Sequence, residues 1–277
     1  MDALRIENLS KSYGNHKVLN DISFSVPSGS VFGFIGANGA GKTTTMKIIL
    51  GLLESEKGDV YVCGEKVTFG DTKTNKNIGY LPDVPEFYNW MRPKEYLKLC
   101  GEITGMETAK IKKRSDELMQ LVGLSKTNKK IGSFSRGMKQ RLGVAQALLN
   151  EPKLLICDEP TSALDPIGRK EILEVLQKVR EKTTVIFSTH ILSDVERICD
   201  NAAVLHHGKI VLSGNLQELR ARHSKNDTTI HFASEQDKHK FLSLPDVTAL
   251  FNISSQTQTS IAISKNDIES LFMEVVS

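Results

Sequence analysis

The sequence predicts an α/β fold with an open parallel β-sheet. Three observations predict it: short apolar runs read as buried strands, helix-like stretches follow them, and polar residues stand where the strands end. The chain has 277 residues, of which 39% are hydrophobic and 25% are charged. This length and composition are ordinary for one large α/β core with a smaller unit.

The first of these strands leads into a glycine-rich loop. Val31–Ile35 reads as a buried strand, and Thr44–Leu50 reads as the helix that follows. Between them, Gly36–Thr43 has the sequence GANGAGKT, which fits the phosphate-binding pattern G-x-x-x-x-G-K-[ST]. Strand, loop and helix are the surroundings that a P-loop needs, so we expect a P-loop NTPase core. The alternative is a glycine-rich turn that happens to hold a lysine.

The residue types of this loop suit ATP and Mg²⁺. Glycines let backbone N–H groups point at phosphate oxygens, and the following helix adds its positive end. Lys42 can reach the outer phosphates and take part in catalysis, while the Thr43 hydroxyl can ligate Mg²⁺. We expect nucleotide contacts from Gly36, Asn38, Gly39, Ala40, Gly41, Lys42, Thr43 and Thr44.

Polar residues also follow two later strands. Lys153–Cys157 ends in Asp158 and Glu159, and ligands of an open parallel sheet bind at the carboxyl ends of its strands. We expect Asp158 to hold Mg²⁺ through water and Glu159 to polarise the water that attacks the γ-phosphate. Solvated acids at a strand end are the alternative.

The strand Thr184–Ser188 ends in Thr189 and His190. An imidazole at that edge can bond both the γ-phosphate and the attacking water, so we expect His190 to be catalytic. A histidine with a purely structural role is the alternative.

These motifs together resemble the ATP-binding subunits of ABC transporters, from about Leu4 to Leu219. The segment Phe134–Met138, FSRGM, stands where that family has its signature loop, LSGGQ. The resemblance implies that Ser135 and Gly137 bind the γ-phosphate held by a second subunit, with Ser135 at the start of a helix predicted over Met138–Leu149. Three residues depart from the family pattern: Phe134, Arg136 and Met138 replace its Leu, Gly and Gln.

The resemblance assigns three further residues. Tyr13 corresponds to the aromatic residue that stacks on adenine, although such a residue is more often part of a core. Asp165 corresponds to the loop that crosses the dimer, or else it simply forms a turn before Pro166. Asp83 replaces the family's lever glutamine, the residue that reports the bound nucleotide to the transporter. Asp83 either ligates Mg²⁺ or caps a helical segment that follows it.

The same resemblance organises the chain. Residues 1–219 form the expected ATPase domain, with an antiparallel β subdomain at its start and a helical subdomain at about 84–140. In this family the helical subdomain docks the membrane partner. Four apolar side chains in a Pro-bounded loop suit such an interface, although core packing is the alternative: Phe87, Tyr88, Trp90 and Met91. Residues 220–277 are expected to form a small α+β appendage with two strands and two helices, TTIHFAS, TSIAIS, EQDKHKFLSL and NDIESLFMEVV.

Composition limits the other functions. The formal net charge of +3 gives no argument for a nucleic-acid partner. Four scattered cysteines form no zinc pattern and suit a reducing cytosol. His206 and His207 are neighbours on a predicted strand that turns at Gly208-Lys209, so their side chains should point to opposite faces. No apolar run reaches the roughly 18 to 20 residues of a membrane span, and the first residues lack a signal-peptide pattern.

The expected function is therefore that of an ATP-hydrolysing motor. Two copies, expected to be a homodimer, would close head to tail around two MgATP on the cytoplasmic side of the cell membrane and drive a permease on a separate chain. Residues 134–168 look most like the bacterial branch with bacitracin-type exporters, which favours export. A soluble ATPase of the same superfamily acting on the ribosome or nucleic acid is the alternative. A P-loop kinase or GTPase would leave Ser135 and His190 unexplained.

Overall fold

The computed structural model describes residues 2–71, 73–223, 228–244, 251–257 and 260–265. The chain divides into two compact units, residues 1–213 and 214–277. The predicted α/β fold, with an antiparallel sheet and a helical subdomain beside the parallel sheet, is confirmed. No helix in these described ranges is long and apolar enough to cross a membrane.

Strands and helices are interspersed along the chain. The strands are β1 (Asp2–Tyr13), β2 (His16–Pro27), β3 (Val31–Ile35), β4 (Lys57–Val62), β5 (Glu65–Lys66), β6 (Ile78–Leu81), β7 (Leu154–Asp158), β8 (Thr184–Thr189), β9 (Asn201–His206), β10 (Lys209–Asn215), β11 (Thr228–His231), β12 (Phe251–Thr257) and β13 (Ser260–Lys265). The helices are α1 (Lys42–Ile49), α2 (Pro93–Ile103), α3 (Thr108–Leu121), α4 (Arg136–Ala147), α5 (Pro166–Val179), α6 (Leu192–Ile198), α7 (Leu216–His223) and α8 (Glu235–Leu242). Short 3₁₀ turns cover Lys73–Asn77 and Ile131–Ser133.

The central sheet has six strands in the order β10-β9-β3-β8-β7-β6. The four pairs β9/β3, β3/β8, β8/β7 and β7/β6 are all parallel. Every residue of β3, β7 and β8 is buried, which explains why these strands read as apolar runs in the sequence. Because the strands are parallel, the segments that follow β3, β6, β7 and β8 all leave the sheet at one edge.

The antiparallel sheet has the order β2-β1-β4-β5 and packs on the central sheet. Phe24 of β2 stacks on Phe32 and Phe34 of β3, with ring centroids 5.6 and 5.1 Å apart. Each such aromatic pair adds about 0.5 to 1.5 kcal/mol beyond its area burial. This packing positions the β1–β2 hairpin, which carries Tyr13, beside the start of α1.

Helices α2, α3 and α4 form the helical part of the first unit. Pro93 begins α2, and the Arg92 N–H donates to the Glu95 carboxylate 2.8 Å away, an N-terminal cap. A Cβ atom on Gly101 would lie 2.7 Å from Ile111, so glycine allows α2 and α3 to approach closely. The α4 helix begins at Arg136, two residues before the predicted start, because Ser135 caps it through the Met138 N–H.

The β9–β10 turn differs from the prediction. It lies at His207 and Gly208, whose φ angles are 45° and 72°, and not at Gly208-Lys209. The expectation for the two histidines was also wrong, since the rings of His206 and His207 are only 4.1 Å apart between centroids. The positive φ of His207 takes it out of the strand, so the alternation of faces stops at His206.

The second unit has a three-stranded antiparallel sheet in the order β11-β13-β12, together with α7 and α8. The expected boundary at 219/220 falls inside α7. Strand β12, FNISSQT, was not predicted, because its polar residues hide the alternation. The predicted helix NDIESLFMEVV lies outside the described residues.

Candidate functional site

The loop between β3 and α1 is shaped by glycine. Gly41 has φ 110°, and a Cβ atom there would lie 2.7 Å from the Leu19 side chain. A Cβ atom on Gly36 would lie 2.7 Å from the Leu205 carbonyl oxygen. Both positions therefore need glycine for the loop to pass between β2 and β9 and enter α1 at Lys42.

Lys42 lies at the centre of the site and is 6% exposed. Its Nζ donates to the carbonyl oxygens of Gly36 and Ala37, at 2.8 and 3.2 Å. It also lies 3.0 Å from Glu159 Oε1, an ion pair without hydrogen-bond geometry. A buried ammonium needs such partners, and they keep this cation at the mouth of the loop.

The acid pair after β7 is held by Ser188 of β8. The Ser188 hydroxyl donates to Asp158 Oδ1 at 2.6 Å and accepts from the Glu159 N–H at 3.0 Å. The second oxygen of Asp158, Oδ2, accepts from the Thr43 hydroxyl at 2.8 Å. Burial, and after it the negative charge of Asp158, raise the pKa of Tyr80 on β6 to about 12. Ser188 was not singled out from the sequence; its signal is a hydroxyl just before the carboxyl end of a fully buried strand.

Glu159 turns sharply out of the sheet. Its φ is 46°, a conformation that costs a non-glycine residue roughly 1 kcal/mol or more and that is common at functional sites. The turn leaves Oε1 beside Lys42 and places Oε2 3.1 Å from His190 Nδ1. The segments that follow the carboxyl ends of β3, β7 and β8 therefore bring a cation, a carboxylate and an imidazole into contact.

Asp83 follows β6 and faces the same space. A cavity of ≈ 460 Å³ is lined by Val18, Asn38, Gly39, Gly41, Lys42, Thr43, Thr44, Asp83, Asp158 and Glu159. The capping alternative for Asp83 was wrong, because the next α-helix begins only at Pro93 and Arg92 caps it. Asp83 Oδ1 instead accepts a short hydrogen bond from the Ser162 hydroxyl.

Six predicted nucleotide contacts do not line this cavity. Gly36 and Ala40 belong to the glycine-rich loop itself, and the other four, Tyr13, Ser135, Gly137 and Asp165, lie outside it. Ser135 and Asp165 cap α4 and α5, accepting from the N–H groups of Met138 and Gly168 at 3.2 and 3.3 Å. Gly137 lies in the first turn of α4, and Tyr13 is 52% exposed at the end of β1. Tyr13 is thus not part of the core. Phe134, which departs from the family pattern, is buried and fills an apolar position as leucine would.

A buried acid supports the loops behind the site. Asp194, in the first turn of α6, accepts from Thr161 Oγ1 and from Arg169 Nε, both at 2.6 Å. Thr161 follows Glu159 by two residues, and Asp194 follows His190 by four. No sequence motif pointed to Asp194. Only the pairing of an acid in α6 with a basic residue in α5 could have suggested it.

The aromatic loop before α2 is divided between surface and core. Tyr88 and Trp90 are exposed, Trp90 by 68%, and their rings lie 6.0 Å apart. Phe87 is half-buried against Tyr96, at 5.1 Å between ring centroids, and Met91 is buried. For Met91 the core-packing alternative is therefore the correct one.

The chain is similar in sequence to known proteins. A family model described as ABC transporter matches residues 19–162. The chain is 42% identical to the uncharacterized ABC transporter ATP-binding protein YxlF of Bacillus subtilis, over 82% of this chain and 76% of YxlF. It is 38% identical to the bacitracin transport ATP-binding protein BcrA of Bacillus licheniformis, over 80% and 72%.

A solved structure agrees with these relatives. The ATP-binding cassette MJ0796, determined as a dimer in a post-hydrolysis state with ADP and Pi, is 25% identical with a TM-score of 0.68, covering 76% of this chain and 98% of MJ0796. The predicted resemblance, including its bacitracin-type branch, is confirmed. With a P-loop, an acid pair and a histidine at one sheet edge, this chain belongs to the ABC transporter family as one of its ATP-binding, ATP-hydrolysing subunits.

Proposed function

We propose that this chain is the motor of an exporter, in which two copies close head to tail around two MgATP and drive a permease on a separate chain. The observation that carries the proposal is the contact of Lys42, Glu159 and His190 at the carboxyl edge of β3, β7 and β8. This grouping supports the proposal, because a cation, a base and an imidazole suit the terminal phosphate of a P-loop nucleotide.

The loop residues hold the triphosphate. Backbone N–H groups of Gly39, Gly41 and their neighbours, together with the positive end of α1, face the phosphate oxygens. Lys42 balances the outer phosphates, and because it also contacts Glu159, it links the bound phosphate to the base. Tyr13, exposed on the β1–β2 hairpin, stacks on the adenine.

The donors around Thr43 fit Mg²⁺. The Thr43 hydroxyl and the Asp158 carboxylate are oxygen donors that already lie 2.8 Å apart, and Mg²⁺ prefers such ligands together with phosphate oxygens and water. No group of three or more His, Cys, Asp and Glu side chains that could hold a metal by themselves occurs among the described residues, so the nucleotide completes the ligand set. Bound there, Mg²⁺ neutralises phosphate charge. Asp83 faces the same cavity and can add a further ligand.

Hydrolysis then follows from the Glu159–His190 pair. Glu159 accepts a proton from the water as the water oxygen attacks the γ-phosphorus, and the bond to the β-phosphate oxygen breaks to give ADP and phosphate. His190 orients that water and bonds the γ-phosphate. Ser188 holds the Glu159 backbone, so the base is fixed before the reaction starts.

The signature residues act on the partner's nucleotide. Ser135 and Gly137 lie at the exposed positive end of α4 and outside the cavity of their own chain, which suits an anion delivered by a second copy. Asp165, at the exposed start of α5, lies in the loop that meets the partner. The dimeric form of the related cassette MJ0796 supports this pairing.

The exposed Tyr88 and Trp90 supply the surface for the membrane permease. Exposed aromatic side chains are enriched in protein interfaces. The similarity to a bacitracin transport protein supports export as the direction.

The test replaces the base. Glu159→Gln should bind ATP but lose hydrolysis by about 10²-fold or more, and it should accumulate as an ATP-bound dimer in size-exclusion chromatography with MgATP. The control is Glu174→Gln, a half-exposed acid on α5, which should hydrolyse ATP like the unmodified chain. Undiminished hydrolysis by Glu159→Gln would refute the assigned base.

The partner is tested with the same variant. Tagged Glu159→Gln, isolated from detergent-solubilised membranes of its host with MgATP, should bring down a stoichiometric protein with several apolar segments of about 20 residues. Ribosomal components or nucleic acid in its place would refute the permease and favour the soluble ATPase.

A further inference from the structure

Two residues that depart from the family pattern face each other. Asp83 stands where the lever glutamine is expected, and Arg136 stands where the signature loop has its first glycine. The Arg136 guanidinium lies 3.6 Å from Asp83 Oδ1, and both side chains are about half exposed. The two positions are 53 residues apart in the chain, so only the fold brings them together.

A third residue joins the pair. The Ser162 hydroxyl donates to the same Asp83 oxygen, and Arg136 NH2 lies 3.5 Å from that hydroxyl oxygen. Ser162 follows β7 and Glu159, Asp83 follows β6, and Arg136 opens α4. The cluster therefore connects three segments that the proposed cycle uses: lever, base and signature.

Electrostatics explain why an arginine accompanies Asp83 in this cluster. Asp83 adds a third carboxylate to a cavity that Asp158 and Glu159 already line, and an unbalanced third acid repels a polyphosphate. Arg136 supplies the opposite charge on the outer side of Asp83. One carboxylate oxygen is thus held by Ser162 and Arg136, which leaves the other available to the cavity.

We propose that Arg136 and Ser162 are positioning residues for Asp83, and that this contact couples the lever segment to the signature helix of the same chain. The inference rests on the proposed function, because it assumes that the cavity takes ATP. Arg136 directly follows Ser135, so a shift of Asp83 toward a nucleotide is transmitted to the start of α4. Each chain can thereby link its own nucleotide site to the residue it offers its partner.

The test is a double-mutant cycle of Asp83→Asn and Arg136→Gln. Binding is followed by the emission of Trp90, the chain's single tryptophan, which lies in the loop after Asp83. The measured quantity is the dissociation constant for metal-free ATP divided by that for MgATP. Arg136→Gln should raise this ratio about two- to fivefold, the range of an exposed ion pair, because the more negative metal-free ATP suffers more from an unbalanced Asp83.

In the Asp83→Asn background, Arg136→Gln should leave the ratio unchanged. Ser162→Ala should also raise the ratio. Arg136→Lys keeps the positive charge, so its ratio should stay close to that of the unmodified chain. The charge-matched control is Lys94→Gln, which removes an exposed cation paired with Asp116 at 2.5 Å in the helical part. That control should bind both forms as the unmodified chain does.

The possible failures are distinct. Equal effects of Arg136→Gln with and without Asp83→Asn, or no effect at all, would overturn the positioning role while the Glu159→Gln result still stood. If the unmodified chain bound neither form of ATP, the proposed function and this inference would both fall.

Discussion

Asp194→Ala tests whether one buried acid supports the loops behind the site. The Asp194 side chain is 2% exposed and makes two short hydrogen bonds, to Thr161 and to Arg169. Breaking a buried ion pair by removing one partner costs about 3 to 5 kcal/mol. Arg169 is itself 29% exposed and keeps a 2.7 Å bond to Ser193, so we expect the lower end, about 3 kcal/mol.

The loss should appear as a lower melting temperature. In a unit of 150 to 250 residues, 1 kcal/mol corresponds to about 2 to 4 °C, so the expected fall is about 6 to 12 °C. Trp90 emission follows unfolding of the first unit, to which this tryptophan belongs. The control Asp116→Ala removes an exposed acid and should change stability by about 0.5 kcal/mol or less.

A second cycle identifies the cause. Arg169→Ala should cost a similar amount, because it strands the buried Asp194 carboxylate, and the double variant should cost clearly less than the sum. A loss below about 1 kcal/mol in Asp194→Ala, or strictly additive effects, would refute the reasoning. A stable Asp194→Ala protein with intact hydrolysis would also show that Thr161 needs no such support.

Four further outcomes are expected. Lys42→Ala should weaken ATP binding about 10- to 100-fold in equilibrium titration, the scale of lost charge-assisted hydrogen bonds; unaltered affinity would contradict the P-loop assignment. Ser135→Arg should leave ATP binding to the single chain intact but abolish the ATP-bound dimer in size-exclusion chromatography, and a normal dimer would refute the role across the interface. Gly79→Ala should lower stability by about 1 to 3 kcal/mol in urea unfolding, because its Cβ atom would lie 2.1 Å from the Ala147 carbonyl oxygen; full stability there would contradict the packing of β6 on α4. Burial raises the pKa of the Cys157 thiol, so a thiol reagent should label Cys157 only on unfolding, and rapid labelling of the native chain would argue against this burial.

The sequence predicted the central strands and their ends closely. Val31–Ile35 is β3 as predicted, β7 begins and ends one residue later than predicted, and β8 ends one residue later than predicted. Fully buried parallel strands are apolar throughout, so their limits are visible in the sequence. The sequence also brought Lys42, Asp158, Glu159 and His190 to one edge of the sheet, because each follows a strand and the carboxyl ends of parallel strands lie at the same edge.

Residues whose partners lie far along the chain were not predictable in this way. Thr161 and Asp194 are 33 positions apart, and Ser188 bonds two residues 29 and 30 positions away. A single polar residue in an apolar strand or a helix has no periodicity that reveals its partner. The sharp turn at Glu159 was also hidden, because a positive φ at a glutamate has no signature in residue type.

The two unusual residues at Asp83 and Arg136 show why motif departures are better judged in pairs. Taken alone, an aspartate for the lever glutamine makes the nucleotide cavity more negative, and an arginine for a signature glycine makes its surroundings more positive. Taken together they leave the summed charge of the three connected segments as the family pattern has it, since one negative and one positive charge replace two neutral residues. What changes is the nature of the contact: a charged pair, joined by the Ser162 hydroxyl, connects segments that glutamine and glycine would leave without an ionic link. The departures therefore preserve the summed charge of the pair and add an ionic contact between the segment after β6 and the start of α4.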